Sequence, residues 1–433
     1  MMVNAEKERI AYSHLGRQSR EVDSVITRLM ASKLEHPELL SLAAGFTDNE
    51  ILPAKLVQRA VNALGEKAGR GHLQYGTNRG REGLRRAVLD LLRSYPGEGG
   101  LELDEDDVLI TNGSQQALYI IVQMLCDPGD IVLVERPSYF VFLELLKGMG
   151  VRALSLPEDG SGKLDAEALK GFLGRLREEG ELERLKLVYL MGTFANPSTR
   201  CPGEDEKEAL AGILQALERP VPVIEDMAYR ELYFEKPAPA RSLLSLQSWR
   251  GYPVLYLGTF TKPFATGLKV GFVVSPDGHC LETLAKIKGH QDFGTAHFTQ
   301  AILEWMLLEG LYADHLSMIR RHYAGKARVL EETLVEGGLK EAGWSWESPK
   351  GGLLLWAKGP AGTDTRIGSA FHQRCLEKEI LYVPGDLCFA EGQPHGFVRL
   401  SFGALEASLL PEAGGRFCGA ATRAALDGAT PRP

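Results

Sequence analysis

Lys262 stands directly behind an apolar run, a position that suits nucleophilic chemistry. It closes Gly258-Thr259-Phe260-Thr261-Lys262 after Val254-Leu255-Tyr256-Leu257, a stretch short, apolar and aromatic enough to read as a buried strand. Ligands of open α/β sheets collect outside the carboxyl ends of the strands, so a lysine there sits at a mouth. Partial burial lowers an amine's pKa and frees the neutral form to make an imine with an aldehyde. A solvated loop lysine is the plainer alternative, and only neighbouring residues distinguish the two.

Three further stretches supply such neighbours. At Gly113-Ser114-Gln115-Gln116, after Val108-Leu109-Ile110, a strand gives way to a helix, and the free N–H groups of a helix start suit a phosphate. A serine in that place is also a common cap. Asp226 ends Val223-Ile224-Glu225-Asp226 ahead of Met227-Ala228-Tyr229; a carboxylate at a buried strand end is costly unless paired, and a protonated pyridine nitrogen would pair it. Turn capping or an arginine partner would serve Asp226 as well. In Phe194-Ala195-Asn196-Pro197-Ser198-Thr199, Asn196 can donate to a phenolate oxygen or simply make the turn that Asn-Pro marks.

These residues need a scaffold with several strand ends on one edge. Helical apolar spacing covers residues 56–68 and 80–95, and from there strand and helix patterns alternate. The strand at 108–110 leads to a helix over 117–125, then Asp127-Pro128-Gly129-Asp130 turns into a strand at 131–134. Further strands are expected at 187–190, 221–224, 254–257 and 270–274. The alternation predicts an α/β fold, a mostly parallel sheet sandwiched by helices. A helical tract from 298 to about 335 reads as a connector, and short strands near 351–356, 381–384 and 397–402 predict a smaller α+β domain. The expected division is an N-terminal segment 1–55 contributing to the small domain and covering the substrate, a large domain 56–320 and a small domain 321–433. The Ala/Gly-rich end, from about 412, reads as a frayed tail.

Composition excludes other classes. The chain has 433 residues, 44% hydrophobic and 24% charged, with a net charge of -8; it can bury a large core, and without a basic stripe nothing favours nucleic acid or anionic membrane. Six scattered cysteines without CxxC spacing predict reduced thiols and no metal centre. With no apolar leader and no membrane-length apolar stretch, a cytoplasmic protein is expected.

Taken in order, these motifs resemble the class I/II aminotransferases, fold-type I enzymes using pyridoxal 5'-phosphate, and within them the aminoadipate, kynurenine and aromatic branch. The likeness runs from Leu39-Leu40-Ser41-Leu42-Ala43-Ala44-Gly45 to Arg399-Leu400-Ser401-Phe402. It implies that Lys262 holds the cofactor as an imine and shuttles the Cα proton, that Asp226 keeps the pyridine nitrogen protonated, and that Asn196 and Tyr229 bond the 3'-oxygen. Tyr139, in Arg136-Pro137-Ser138-Tyr139, would stack on the ring, a purely structural aromatic being the alternative. Ser114, Gln115, Thr259 and Thr261 would contact the phosphate, joined by Tyr75 from a partner subunit, which implies a homodimer with shared active sites. The family has arginine seven positions after the lysine; here Lys269 keeps the charge without the bidentate fork, and is still expected at the phosphate. Arg399 would grip the substrate α-carboxylate, unless it makes a structural salt bridge, and Gly45 would bring a backbone amide to the same group. Arg20 and Arg28 lie in the amphipathic N-terminal segment that covers the site in this branch, where Arg20 could meet an acidic side chain. A second departure, Met191-Gly192-Thr193-Phe194-Ala195-Asn196-Pro197-Ser198-Thr199, alters substrate-facing geometry.

The expected reaction moves the amino group of an L-amino acid to a 2-oxo acid, 2-oxoglutarate foremost. A lyase, decarboxylase or racemase on the same fold is the alternative, since fold does not settle which Cα bond breaks. A cofactor-sensing regulator is disfavoured, because some forty residues before Ser41 leave little room for a helix-turn-helix domain with a linker.

Overall fold

The computed structural model describes residues 10–21, 35–36, 38–67 and 69–427. Its strands are β1 (Leu40–Ser41), β2 (Val108–Asn112), β3 (Ile131–Val134), β4 (Arg152–Ser155), β5 (Leu185–Met191), β6 (Val223–Asp226), β7 (Val254–Thr259) and β8 (Val270–Val274) in the first three-fifths of the chain. Seven of them form one sheet in the order β2-β8-β7-β6-β5-β3-β4. All neighbours pair in parallel except β8, which runs antiparallel to both β2 and β7. The expected mostly parallel sheet is therefore present, with one reversed strand. Alternation along β3 shows that both faces are covered: Ile131 and Leu133 pack into one core, Val132 and Val134 into the other, as period-two geometry requires.

Because β8 is reversed between them, β2 points the same way as β7. The C-terminal ends of β2, β3, β5, β6 and β7 thus line one edge of the sheet, and the stretches containing Ser114, Tyr139, Asn196, Asp226 and Lys262 all leave from it. Along β6 the alternation also separates two acids. Glu225 turns to one face and pairs with the buried Lys207 at 2.8 Å, while Asp226 turns to the other.

A second sheet follows the order β12-β13-β10-β9, built from β9 (Ser345–Trp346), β10 (Leu354–Lys358), β12 (Val383–Pro384) and β13 (Phe397–Ser401), all antiparallel. The short β11 (Ile380–Leu381) pairs in parallel with β1, so the N-terminal segment joins the C-terminal part. The helical tract expected over 298–335 is two helices, His297–Leu308 and Leu311–Glu336, broken at Gly310 with φ +72°. Its second helix bridges the sheets: Tyr312 packs on Phe260 and Phe264, while Lys326 reaches the Gly403 carbonyl beyond β13.

Several expectations need correction. The Ala/Gly-rich end is not frayed over its length: Leu410–Asp427 is a helix whose Ala413, Phe417, Ala420 and Ala421 are buried, and a Cβ on its Gly414 would stand 2.7 Å from the Thr333 side chain of the helix Leu311–Glu336. The strand expected at 221–224 begins at Val223, because Pro222 has no N–H to give a ladder. The edge strand β4 has a half-exposed, mixed composition without an apolar run, so no periodicity announced it. Among the described residues no helix is long and apolar enough to cross a membrane, and all six cysteines are free thiols.

Candidate active site

Lys262 lies in the turn after β7, half-buried, with its Nζ donating to the Gly45 carbonyl at 2.6 Å. Burial, then the charges of Arg399 and Lys269, bring its pKa down to about 8. Each of these disfavours the ammonium form, so a useful fraction of neutral amine exists near neutral pH. The nearby cation, Arg399, is 2% exposed and projects from β13. Its guanidinium donates to the Ala43 carbonyl at 2.7 Å and to Asn196 Oδ1 at 3.2 Å, and lies 5.1 Å from the Phe140 ring centroid. Nε has no partner, and among the described residues no carboxylate lies within ion-pair distance of it. A structural salt bridge for Arg399 is thereby excluded among those residues, and a buried cation without a counter-ion calls for an anionic ligand.

Asp226 is also nearly inaccessible, at 2% exposure. It accepts from the Tyr189 hydroxyl at 3.0 Å and the Ala228 N–H at 3.0 Å, yet burial outweighs both donors and pushes its pKa up to about 6. Among the described residues it has no basic partner, so neither a capping role alone nor an arginine pair accounts for it. Tyr229 follows in the next turn beside the Asn196 side chain, and burial raises its phenol to about 12, leaving it protonated and able to donate. Tyr139 directly precedes the helix Phe140–Gly148 without a side-chain cap bond; its phenol is likewise raised by burial, with Tyr229 and Asp226 adding to the effect. These groups lie near one another: the Tyr139 phenol feels Tyr229, Asp226 and Arg399, and Arg399 reaches Asn196.

Across the mouth, the helix Gly113–Leu125 begins at Gly113 with φ +69°, and Asn112 gives it no side-chain cap. Its first-turn N–H groups, at Ser114 and Gln115, are thus open to an anion. Gly271 allows the close approach of β8, since a Cβ there would stand 2.5 Å from the Gly113 carbonyl carbon and 2.7 Å from the Ser114 nitrogen. The Thr261 hydroxyl is buried without a partner, 3.5 Å from the place a Cβ on Gly113 would take. Thr259 is engaged, donating to the Val270 carbonyl and accepting from the Thr261 N–H. Lys269 is exposed, in the left-handed region at φ +54°, close enough to act on the Lys262 charge.

Tyr75 is 77% exposed and makes an edge contact with the exposed Phe293, the residue after Asp292, which accepts from Asn112 and Gln116 at the start of the helix Gly113–Leu125. Arg20, on the helix His14–Glu21, lies over the Tyr12 ring at 4.8 Å and is exposed; Arg28 is outside the described residues. Gly45 joins the site through its carbonyl, accepting from Lys262. Tyr189, Ala43 and Phe140 were not singled out from sequence. A tyrosine inside an apolar strand needs a hydroxyl partner, which was the available signal for Tyr189; nothing local marked Ala43.

The family model for aminotransferase class I and II matches residues 37–417. The chain is a class I and II aminotransferase. It is 32% identical over 393 residues to the 2-aminoadipate transaminase of Thermus thermophilus, covering 90% of this chain and 92% of that one. Among solved structures, the Pyrococcus horikoshii kynurenine aminotransferase superposes with a TM-score of 0.84 at 27% identity, covering 97% and 98% of the two chains. An alpha-aminoadipate aminotransferase from Thermus thermophilus, bound to N-(5'-phosphopyridoxyl)-L-leucine, gives 0.80 at 30% identity over 95% and 98%. Pyridoxal 5'-phosphate is the cofactor of this aminotransferase. Its residues fit that group: an orphaned Thr261 hydroxyl beside an uncapped helix start for a phosphate, an unpaired acid for a ring nitrogen, and a low-pKa lysine for an aldehyde.

Proposed function

We propose that this aminotransferase moves the amino group of an L-amino acid to a 2-oxo acid, with 2-oxoglutarate as acceptor, as a cytoplasmic homodimer with shared active sites. The observation that carries this reading is Arg399, a buried guanidinium with an unpartnered Nε and no counter-ion among the described residues, beside a lysine of depressed pKa. A substrate carboxylate supplies the missing charge, and the planar fork orients it through paired hydrogen bonds. That grip places the substrate Cα next to Lys262.

When bound, pyridoxal phosphate supplies an aldehyde that takes up the amine and a ring that withdraws electrons from the substrate Cα. The protein provides the rest. Lys262 would hold the aldehyde, and its free amine would take a proton from the substrate Cα as a general base and return it as an acid, work for which a pKa near the operating pH is suited. Asp226 holds the proton of the ring nitrogen, and the positive charge there would lower its raised pKa. Asn196 and Tyr229 would donate toward the 3'-oxygen, and Tyr139 would stack on the ring. Ser114, Gln115, Thr259, Thr261 and Lys269 would hold the phosphate, with Tyr75 reaching it from a second copy of the chain. That assignment explains why Tyr75 is exposed within one protomer. The unit 56–320 would bind the cofactor, 321–433 would form the small domain, and the segment 1–55 would add to that domain and cover the substrate, with Arg20 facing an acidic side chain.

Mixing the cofactor-loaded protein with single L-amino acids tests the reading. A donor must bleach the visible cofactor band and yield the pyridoxamine form with one equivalent of 2-oxo acid. The relatives are named for 2-aminoadipate and kynurenine, so long side chains head the panel. Carbon dioxide or ammonia release without amine transfer would point to a lyase or decarboxylase instead.

A further inference from the structure

We infer that the cluster of the buried Asp48 and Lys326 with the half-buried His322 is a positioning device that fixes the irregular segment 43–48, and through it the two basic groups of the active site. The inference rests on the roles proposed above for Lys262 and Arg399. Residues 43–48 form no helix or strand, so contacts alone decide where their carbonyls lie. Two of those carbonyls matter: Ala43 receives Arg399 at 2.7 Å and Gly45 receives Lys262 at 2.6 Å. On one side the segment is held by β1, continued through the Leu42 carbonyl that accepts from the Ser401 N–H. On the other side the charged anchor is Asp48.

That anchor is well built. Asp48 Oδ2 accepts from Lys326 Nζ at 2.6 Å and His322 Nε2 at 2.9 Å, its Oδ1 accepts from the Glu50 N–H at 3.0 Å, and its own N–H donates to the Tyr323 hydroxyl at 3.1 Å. The side chains of Asp48 and Lys326 are each 1% exposed. Lys326 donates a second time, to the Gly403 carbonyl at 3.0 Å, just beyond the strand that carries Arg399. A Cβ on Gly403 would stand 2.5 Å from the Phe46 carbonyl oxygen, so the segment crosses that strand end in direct contact. Thr47 meets Thr266 at 3.3 Å, tying the same segment to the loop between Lys262 and Lys269.

A fully buried ion pair is a weak source of stability, because desolvation offsets most of the attraction, whereas a single charged pair selects one register. Here the selected register places the Ala43 and Gly45 carbonyls against Arg399 and Lys262 together. With the Ala43 side fixed by β1, Asp48 fixes the far side, and the carbonyls between these anchors are held against the two basic groups.

Asp48→Asn keeps the shape and the Glu50 contact while removing the charge. In the cofactor-loaded protein, the expected result is a tenfold or greater rise in KM for the amino donor, with kcat lowered several-fold. Calorimetry should show a rise of similar size in Kd for glutarate, a dicarboxylate without the amine. Asp48→Glu should recover part of both, and His322→Phe, which leaves the Lys326 pair intact, should shift both in the same direction by less. If Asp48→Asn, Lys326→Gln and His322→Phe lower Tm yet leave KM and the glutarate Kd within twofold, the cluster only stabilises the fold and the inference is overturned. His322→Phe alone decides the matter if the other two do not fold. Failure of the underlying reading looks different: Arg399→Lys itself would then leave KM unchanged.

Discussion

Replacing Arg399 by lysine keeps the charge and removes the fork, which makes it the sharpest probe of substrate binding. In the protein the guanidinium already spends one nitrogen on Ala43 and another on Asn196, leaving Nε without a partner. An ammonium on a shorter, non-planar head cannot serve both acceptors and a carboxylate in the same geometry. Hydrogen bonds to charged groups contribute ~1.5–3 kcal/mol each, so loss of the two made to a carboxylate amounts to ~3–6 kcal/mol. At about 1.4 kcal/mol per tenfold, kcat/KM for the amino donor should fall by roughly a hundredfold to ten-thousandfold. The assay is steady-state turnover at saturating 2-oxo acid, on protein whose visible cofactor absorbance matches wild type. A stability measurement sharpens it. Removing one partner of a buried ion pair usually costs about 3–5 kcal/mol, but Arg399 has no carboxylate partner among the described residues to abandon, so denaturant midpoints should move little. A large loss of stability with kcat/KM within threefold of wild type would refute the reasoning, because it would make Arg399 a structural residue.

Lys262→Ala should abolish the visible cofactor band while leaving far-UV circular dichroism intact. In cofactor-free protein, an amine-selective acylating reagent at pH 8 should label Lys262 ahead of the surface lysines, since its pKa is down to about 8; mass spectrometry of the peptides gives the ranking, and equal labelling would contradict the assignment. Asp226 bears on acid behaviour. Its folded pKa is raised from 3.8 to about 6, so the folded state binds the extra proton, and cofactor-free protein should lose stability as pH rises from about 4 through about 6. Urea midpoints across that range should show the loss, and Asp226→Asn should remove it. Thr261→Val exchanges an orphaned buried hydroxyl for a methyl: apo stability should hold or rise, while cofactor Kd weakens by roughly tenfold, equivalent to ~1–1.5 kcal/mol. An unchanged Kd on equilibrium dialysis would take Thr261 out of the phosphate cradle.

Much of this architecture was legible because local patterns and the sheet agreed. The apolar runs behind Asp226 and Lys262 are the buried parallel strands β6 and β7, and a strand covered on both faces reads as a continuous apolar stretch. The edge strand β4 lacked that mark, and the helix break at Gly310 was hidden inside unbroken apolar spacing. At the site, polar residues just past strand ends could be picked out one by one. Tyr189 escaped because a tyrosine amid Leu187, Val188 and Leu190 reads as strand filling until the position of its hydroxyl is known. Ala43 and Gly45 contribute only carbonyl oxygens, which every residue has, so no side-chain pattern could single them out.

The amino-acid sequence by itself determined the kinds of group present and their order along the chain: an imine-forming lysine, an acid at a strand end, a helix start open to an anion, and an arginine with a planar fork. Periodicity also determined that a mostly parallel sheet must carry them, since both strand faces needed cover. Only the tertiary structure decided which groups meet. Lys262 reaches a carbonyl 217 residues away, and Arg399 reaches others at separations of 356 and 203. Contacts of that range are set by strand order, the reversal of β8 and the pairing of β1 with β11, which no local pattern encodes. Burial was decided there too. Water excluded by the assembled core moves Lys262 down and Asp226 up toward neutrality, and neither shift exists in the unfolded chain.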